Sequence, residues 1–130
     1  MILSIDHFVL TVKDLNKSII FYRDVLGMTL NTFYPEGTVE KRYSLNFGKQ
    51  KINLHQFNSP FKPHADKPLP GTADFCFLSS ISLDKWKLIF KKNDILIEGG
   101  PVQKTGATGK ILSIYIRDPD KNLIEISNKI

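Results

Sequence analysis

The alternation of apolar and polar residues predicts the secondary structure of the first half of the chain. Residues 5–12 are rich in β-branched and aromatic side chains, which is typical of a strand. Asp14 is a suitable N-cap for a helix over 15–26, in which apolar residues recur at helical spacing until Gly27. Three more strands are predicted, over 28–34, 38–47 and 51–57. The order of elements is therefore β-α-β-β-β.

The second half of the chain repeats this order. A strand is predicted over 72–78, and Ser82 is a suitable N-cap for a helix over 83–92. Three strands follow, over 95–98, 110–117 and 123–128, and the sequence DPDKN between the last two is a strong turn signal.

A proline-rich segment separates the two halves. Residues 58–71 contain four prolines, a density that excludes a helix or a central strand and predicts a linker. We therefore expect a single domain over 1–130, made of a first module 1–57, the linker 58–71 and a second module 72–130. A chain of 130 residues is long enough to bury a core without a disulfide or a structural metal.

Composition and charge exclude several classes of function. The chain has 18 Lys and Arg against 13 Asp and Glu, a net charge of +5, but the basic residues are scattered and form no nucleic-acid patch. A lone cysteine excludes an intrachain disulfide and a Cys-x-x-Cys metal or redox site. No stretch reads as a signal peptide or a membrane span. We expect a cytoplasmic protein without nucleic-acid or membrane partners.

Several segments, in order, resemble the vicinal oxygen chelate superfamily, which contains glyoxalase I, bleomycin resistance proteins and extradiol dioxygenases. IDHFVLTV at 5–12 and FYRDVLGM at 21–28 look like the opening strand and helix of this family. DPD at 118–120 and LIEI at 123–126 look like its closing segment. The resemblance implies an α+β fold in which two tandem βαβββ modules form a curved mixed sheet that cups a cavity. It also implies a homodimer.

Two shorter segments narrow the resemblance to one subgroup. INLHQ at 52–56 and GATG at 106–109 resemble the glyoxalase domain-containing, virulence-associated proteins, whose function is poorly defined. Lys121 stands where the family usually has glycine, a change that affects the turn geometry more than the chemistry, because Asn122 can tolerate a left-handed conformation.

The resemblance implies a metal site, because the family's ligands project from particular strands of its modules. His7 would be the ligand on the first strand, and Glu125 the ligand on the last strand. The position on the fourth strand falls on Asn53 or His55, which point the same way, so alternation does not choose between them. We favour His55, because imidazole is a better ligand than a carboxamide. The fifth-strand position, usually histidine, falls on Asp74.

The implied ligand set is therefore His7, His55 and Glu125, for a divalent ion such as Zn, Ni, Mn or Fe. Two imidazoles and a carboxylate leave coordination positions open for substrate oxygens. Glu125 and Asp74 are the candidates for a catalytic carboxylate. These features predict a metal-dependent enzyme of the glyoxalase or dioxygenase type that acts on a small oxygen-rich substrate. The alternative is a metal-free binding protein that sequesters a drug or metabolite.

Three further expectations concern residues outside this set. Cys76 is expected to be a core thiol rather than a nucleophile, because no basic partner adjoins it in sequence. Tyr115 is a possible pocket residue, but packing in the core is the more common role of tyrosine at such a position. The glycines of the segment 99–110 fit either a mobile lid or a plain hairpin loop.

Overall fold

Each half of the chain folds around one four-stranded mixed sheet. The computed structural model describes all residues 1–130 and divides them into two units, Met1–Gly71 and Thr72–Ile130. The two units have the same order of strands and helix, which confirms the predicted α+β fold with two βαβββ repeats. No helix is long and apolar enough to cross a membrane.

In the first unit, the sheet has the order β1-β4-β3-β2, with β1 and β4 parallel and the other pairs antiparallel. Helix α1, Leu15–Ile19, begins at Asp14, whose side chain accepts a hydrogen bond of 3.0 Å from the backbone N–H of Lys17. It continues as a π-helical segment, Ile20–Val25. The strands are β1 His7–Val12, β2 Thr29–Phe33, β3 Arg42–Phe47 and β4 Gln50–Gln56.

In the second unit, the sheet has the equivalent order β5-β8-β7-β6, with β5 and β8 parallel. Helix α2, Leu83–Lys92, begins at Ser82, whose hydroxyl accepts a hydrogen bond of 3.3 Å from the backbone N–H of Lys85. These are the bounds that the sequence predicts for this helix. The strands are β5 Asp74–Leu78, β6 Gly99–Gly106, β7 Gly109–Arg117 and β8 Leu123–Lys129.

One face of each sheet belongs to the hydrophobic core, and the other face carries the candidate site residues. Because side chains alternate along a strand, an apolar set on one face leaves the intervening residues on the opposite face. In the first unit, the buried apolar set includes Leu10, Val12, Ile52 and Leu54. In the second unit, it includes Ile114, Ile116, Ile124 and Ile126.

The prediction of a strand over 95–98 is wrong, and so is the prediction of a loop over 99–110. Residues 95–98 have no regular structure, and β6 runs through Gly99–Gly106 instead. Glycine and proline suggested a loop, but β6 is an edge strand, where proline is tolerated. Pro101 lies at a shift in the β6–β7 register between Gly99 and Val102. The segment is therefore an ordered hairpin.

The left-handed residue of the β7–β8 turn is Lys121 and not the neighbouring Asn122. Lys121 has φ 67°, whereas Asn122 is fully buried and uses its side chain to hold the turn together. An L residue with a Cβ pays roughly 1 kcal/mol for this conformation, and glycine does not.

We therefore expect Lys121→Gly to raise the free energy of unfolding by about 0.5–1 kcal/mol in urea denaturation. Lys91→Gly is the control, because Lys91 is an exposed residue within α2 and glycine there should lower stability by about 1 kcal/mol. A loss of stability in Lys121→Gly would contradict the assigned turn geometry.

Candidate functional site

The register of the parallel pair β1–β4 decides which candidate ligands of the first unit lie together. His7 is opposite Lys51, Val9 is opposite Asn53, and Thr11 is opposite His55. Asn53 is thus a diagonal neighbour of His7 on the same face of the sheet. His55 lies four positions further along, roughly 13 Å at the rise of a strand. The structure brings His7 together with Asn53 and not with His55.

The imidazole of His7 is oriented by a neighbouring carboxylate. Its Nδ1 is 2.8 Å from Oδ1 of Asp6, and its side chain is about half exposed. A carboxylate only accepts hydrogen bonds, so Nδ1 carries the proton and Nε2 keeps its lone pair. This carboxylate–imidazole pairing is the arrangement that usually supports a metal-binding histidine.

Asn53 presents a polar atom that nothing in the chain satisfies. Its Oδ1 is buried and has no hydrogen-bond partner. A buried acceptor without a donor costs about 1–3 kcal/mol, so such an atom in a folded protein calls for a ligand. Carboxamide oxygens are ligands for divalent cations. Because Asn53 lies diagonally beside His7, the two side chains form a potential donor pair.

His55 belongs to an aromatic and cationic cluster instead. Its ring is buried and packs edge-on against Phe61, with ring centroids 5.3 Å apart. The guanidinium of Arg42 lies over the same phenyl ring, 3.9 Å from its centroid. Burial lowers the pKa of His55, and the positive charges of Arg42 and His64 lower it further. His55 is therefore a neutral imidazole at pH 7.

The second unit places two carboxylates in the equivalent arrangement. Cys76 is opposite Glu125, and Asp74 is opposite Leu123, so Asp74 and Glu125 are diagonal neighbours on one face. Their strands, β5 and β8, correspond to β1 and β4 of the first unit. The two predicted catalytic acids are thus side by side, at the positions that His7 and Asn53 occupy in the first sheet.

A pocket of about 620 Å³ opens on this face of the second sheet. Tyr115 lines it beside Glu125, its cross-strand partner, rather than packing in the core as expected. Burial raises the pKa of Tyr115, and the charge of Glu125 together with a hydrogen bond to it raises that pKa further. The rest of the lining is mostly apolar or comes from the β6–β7 hairpin: Cys76, Leu78, Lys104, Thr105, Gly106, Ala107, Thr108, Ile111 and Lys129.

Cys76 lies at this pocket and not in the core, because its strand presents it on the same face as Glu125. Its Sγ is 3.2 Å from Oγ of Ser127, which is in turn 2.7 Å from Oγ of Ser113. Burial raises the pKa of the Cys76 thiol, although the hydrogen bond with Ser127 partly opposes this. The thiol therefore stays protonated at neutral pH, as expected for a cysteine that is not a nucleophile.

A metal site made only of His, Cys, Asp and Glu side chains is not formed. No group of three or more such residues is arranged to hold an ion. The donor that sequence reasoning ranked second, Asn53, is the one that the register places beside His7. Alternation alone could not separate it from His55, because both residues lie on one face.

The fold agrees with the family that the chain matches. Residues 4–126 match the Glyoxalase/Bleomycin resistance protein/Dioxygenase superfamily, and the chain belongs to this family. The predicted membership of the vicinal oxygen chelate superfamily is therefore confirmed. The family includes metal-dependent enzymes and bleomycin-binding proteins, and its members bind small molecules and typically form dimers.

Individual relatives place the chain within the family. It is 50% identical over 126 residues to the Virulence protein STM3117 of Salmonella typhimurium, covering 97% of this chain and 84% of the relative. The crystal structure of that protein superposes with a TM-score of 0.92 at 49% identity, covering 100% of this chain and 99% of the other.

Two further relatives are similar over most of their length. The Glyoxalase domain-containing protein RDO1 of Mycosarcoma maydis is 46% identical over 125 residues, which are 96% of this chain and 68% of the relative. The crystal structure of the lactoylglutathione lyase from Agrobacterium tumefaciens has a TM-score of 0.69 at 26% identity, and the match covers 96% and 92% of the two chains.

Proposed function

We propose that this chain is a metal-dependent enzyme of the glyoxalase type that acts on a small oxygen-rich substrate, with His7 and Asn53 as ligands of a divalent ion. The buried Oδ1 of Asn53, which has no hydrogen-bond partner and lies diagonally beside His7, is the observation that carries this proposal. Membership of a family that often uses a divalent metal supports it.

The chemistry of the two donors fits such an ion. Nε2 of His7 is free to coordinate because Asp6 holds the proton on Nδ1. An imidazole nitrogen with an amide oxygen suits the borderline ions Zn, Ni, Mn and Fe, and two protein donors leave positions for other ligands. When bound, the ion would polarise a substrate carbonyl and stabilise the negative charge that develops on its oxygen.

We assign the role of general base to Glu125, with Asp74 as the second candidate. Glu125 lines the pocket of the second unit beside Tyr115, its cross-strand partner. In this pocket the carboxylate can remove a proton from a carbon atom next to a carbonyl group of a bound substrate. Asp74 is exposed on the neighbouring strand and is not among the residues that line the pocket.

Elemental analysis of the purified chain tests the ligands. We expect a stoichiometric amount of Zn, Ni, Mn or Fe in the native protein, and at least a tenfold loss of metal affinity in His7→Ala and in Asn53→Ala, each checked for native circular dichroism. His55→Gln is the matched control and should keep its metal. Full metal content in both His7→Ala and Asn53→Ala would overturn the proposal.

The second candidate function is metal-free binding of a drug or metabolite. The pocket of the second unit favours it, because its lining combines apolar side chains with Tyr115, Glu125 and two lysines, which suits an aromatic drug or metabolite that carries polar groups. A chain that holds no metal after reconstitution with each ion, yet binds such a compound tightly in calorimetry, would support this candidate instead.

A further inference from the structure

We infer that Arg42 and Lys51 together form a binding site for an oxyanion group of this protein's ligand, that is, for a carboxylate or a phosphate. Both residues lie on the face of the first sheet that carries His7 and Asn53. Lys51 is opposite His7, and Arg42 is two residues from Ser44, which is opposite Asn53. This site is distinct from the proposed metal ligands, His7 and Asn53, and it binds an anionic group where they would bind a cation.

Arg42 has a donor that the chain does not satisfy. Its Nε is buried and has no hydrogen-bond partner. Its Nη2 donates to Oε2 of Glu40 at 3.3 Å, but the side chain of Glu40 is half exposed, so this ion pair contributes little. A buried N–H of a charged group without an acceptor raises the free energy of the folded chain. This indicates that a bound ligand supplies the acceptor for Nε of Arg42.

Packing holds the guanidinium in a fixed orientation. It lies 3.9 Å from the centroid of Phe61, and the same ring packs against the buried His55. Stacking on an aromatic ring occupies the flat face of a guanidinium and leaves its N–H groups free at the edge. These groups form a planar fork that matches the two oxygens of a carboxylate or a phosphate.

A second cation lies over a ring that neighbours Arg42. Phe33 of β2 is the cross-strand partner of Arg42, and the ammonium of Lys51 lies over the Phe33 ring, 4.3 Å from its centroid. Two positive charges held near neighbouring residues repel each other, and a bound anion would offset that repulsion. The exposed Glu40 is the acid paired with Arg42, and no ion pair joins Lys51 to an acid. A ligand oxyanion would therefore balance the charge.

The position of this site constrains the substrate. Asn53 is opposite Ser44, and Arg42 is two residues from Ser44 on the same strand, roughly 7 Å away on the same face. His7, Asn53 and Arg42 thus follow one diagonal across three strands. A substrate whose oxygens bind at His7 and Asn53 would place its anionic group several bonds away, at Arg42. This assignment to the substrate rests on the proposed function, whereas oxyanion binding at Arg42 does not.

Titration of the ¹⁵N-labelled chain with sodium acetate and with sodium phosphate, followed by amide chemical shifts, tests the site. We expect saturable shifts at residues 42, 51, 55 and 61. Arg42→Gln should weaken the binding at least tenfold, and Arg42→Lys should restore part of it, because charge remains but the fork is lost. Arg23→Gln, at an exposed arginine paired with Asp24, should bind as the native chain does.

Lys51→Met provides a second variant that leaves the buried Arg42 in place, and it should weaken binding several-fold. The tighter of the two anions identifies the group as carboxylate or phosphate. Native affinity in both Arg42→Gln and Lys51→Met would overturn the inference, as would the absence of saturable shifts with either anion. The metal content of Arg42→Gln, measured on the same samples, should be native, so that this inference and the proposed function fail separately.

Discussion

Gly100→Ala is expected to lower the free energy of unfolding by at least about 3 kcal/mol. A Cβ at this position would lie 2.2 Å from the carbonyl oxygen of Ser113 and 3.1 Å from Cα of Ile114. Both are backbone atoms of the adjacent strand, so the clash cannot be relieved by rotating a side chain. Gly100 also has φ +87°, a left-handed conformation that costs alanine a further 1–2 kcal/mol or so.

The effect should extend to the pocket, because Gly100 lies at the start of the β6–β7 hairpin that lines it. Urea unfolding followed by circular dichroism measures the loss. Gly99→Ala is the matched control: its Cβ would lie 3.6 Å from the Tyr115 side chain, an ordinary contact, and its φ is not left-handed. A Gly100→Ala chain as stable as Gly99→Ala would show that β6 does not approach β7 this closely.

Asn122→Ala is expected to lower the free energy of unfolding by about 2–4 kcal/mol. The Asn122 side chain is fully buried, and it joins two parts of the second unit. Its Nδ2 donates to Oδ2 of Asp118 at 2.8 Å, and its Oδ1 accepts a hydrogen bond of 2.9 Å from the backbone N–H of Ala73. Alanine removes both bonds and leaves partly buried polar groups without these partners.

This substitution also loosens the candidate catalytic strands, since Ala73 precedes β5 and Asn122 precedes β8. Thermal or urea unfolding measures the change. Asn93→Ala is the control, because the Asn93 side chain is exposed and makes one hydrogen bond, to the carbonyl of Ile89 at the end of α2. Its loss should cost less than about 1 kcal/mol. Equal losses in the two variants would contradict the role given to Asn122.

Local sequence signals predicted the elements whose causes are local. Helix α2 has the predicted bounds because the Ser82 cap and the apolar spacing both act within a few residues. The strand β6 was missed because Gly99, Gly100 and Pro101 disfavour a strand locally. Pairing with β7, more than ten residues away, overrides that preference.

The candidate site was only partly predictable for the same reason. His7, Asp74 and Glu125 were identified through their place in the family's strands, and alternation placed Asn53 and His55 on one face. The choice between those two residues depends on the register of β1 against β4, which are about forty residues apart in sequence. Nothing near Arg42 in sequence indicates that it stacks on Phe61 or that its Nε is buried.

By itself, then, the amino-acid sequence determined the repeated order of strands and helices, the family, and the face of each strand on which the polar residues lie. These depend on periodicity and short motifs, which act over a few residues. Only the tertiary structure decided which of those polar residues are neighbours, that the Cys76 thiol lies at the pocket, and which hydrogen-bonding atoms remain unpaired. Such properties arise from contacts between strands distant in sequence, where register and packing, rather than local preference, set the free energy.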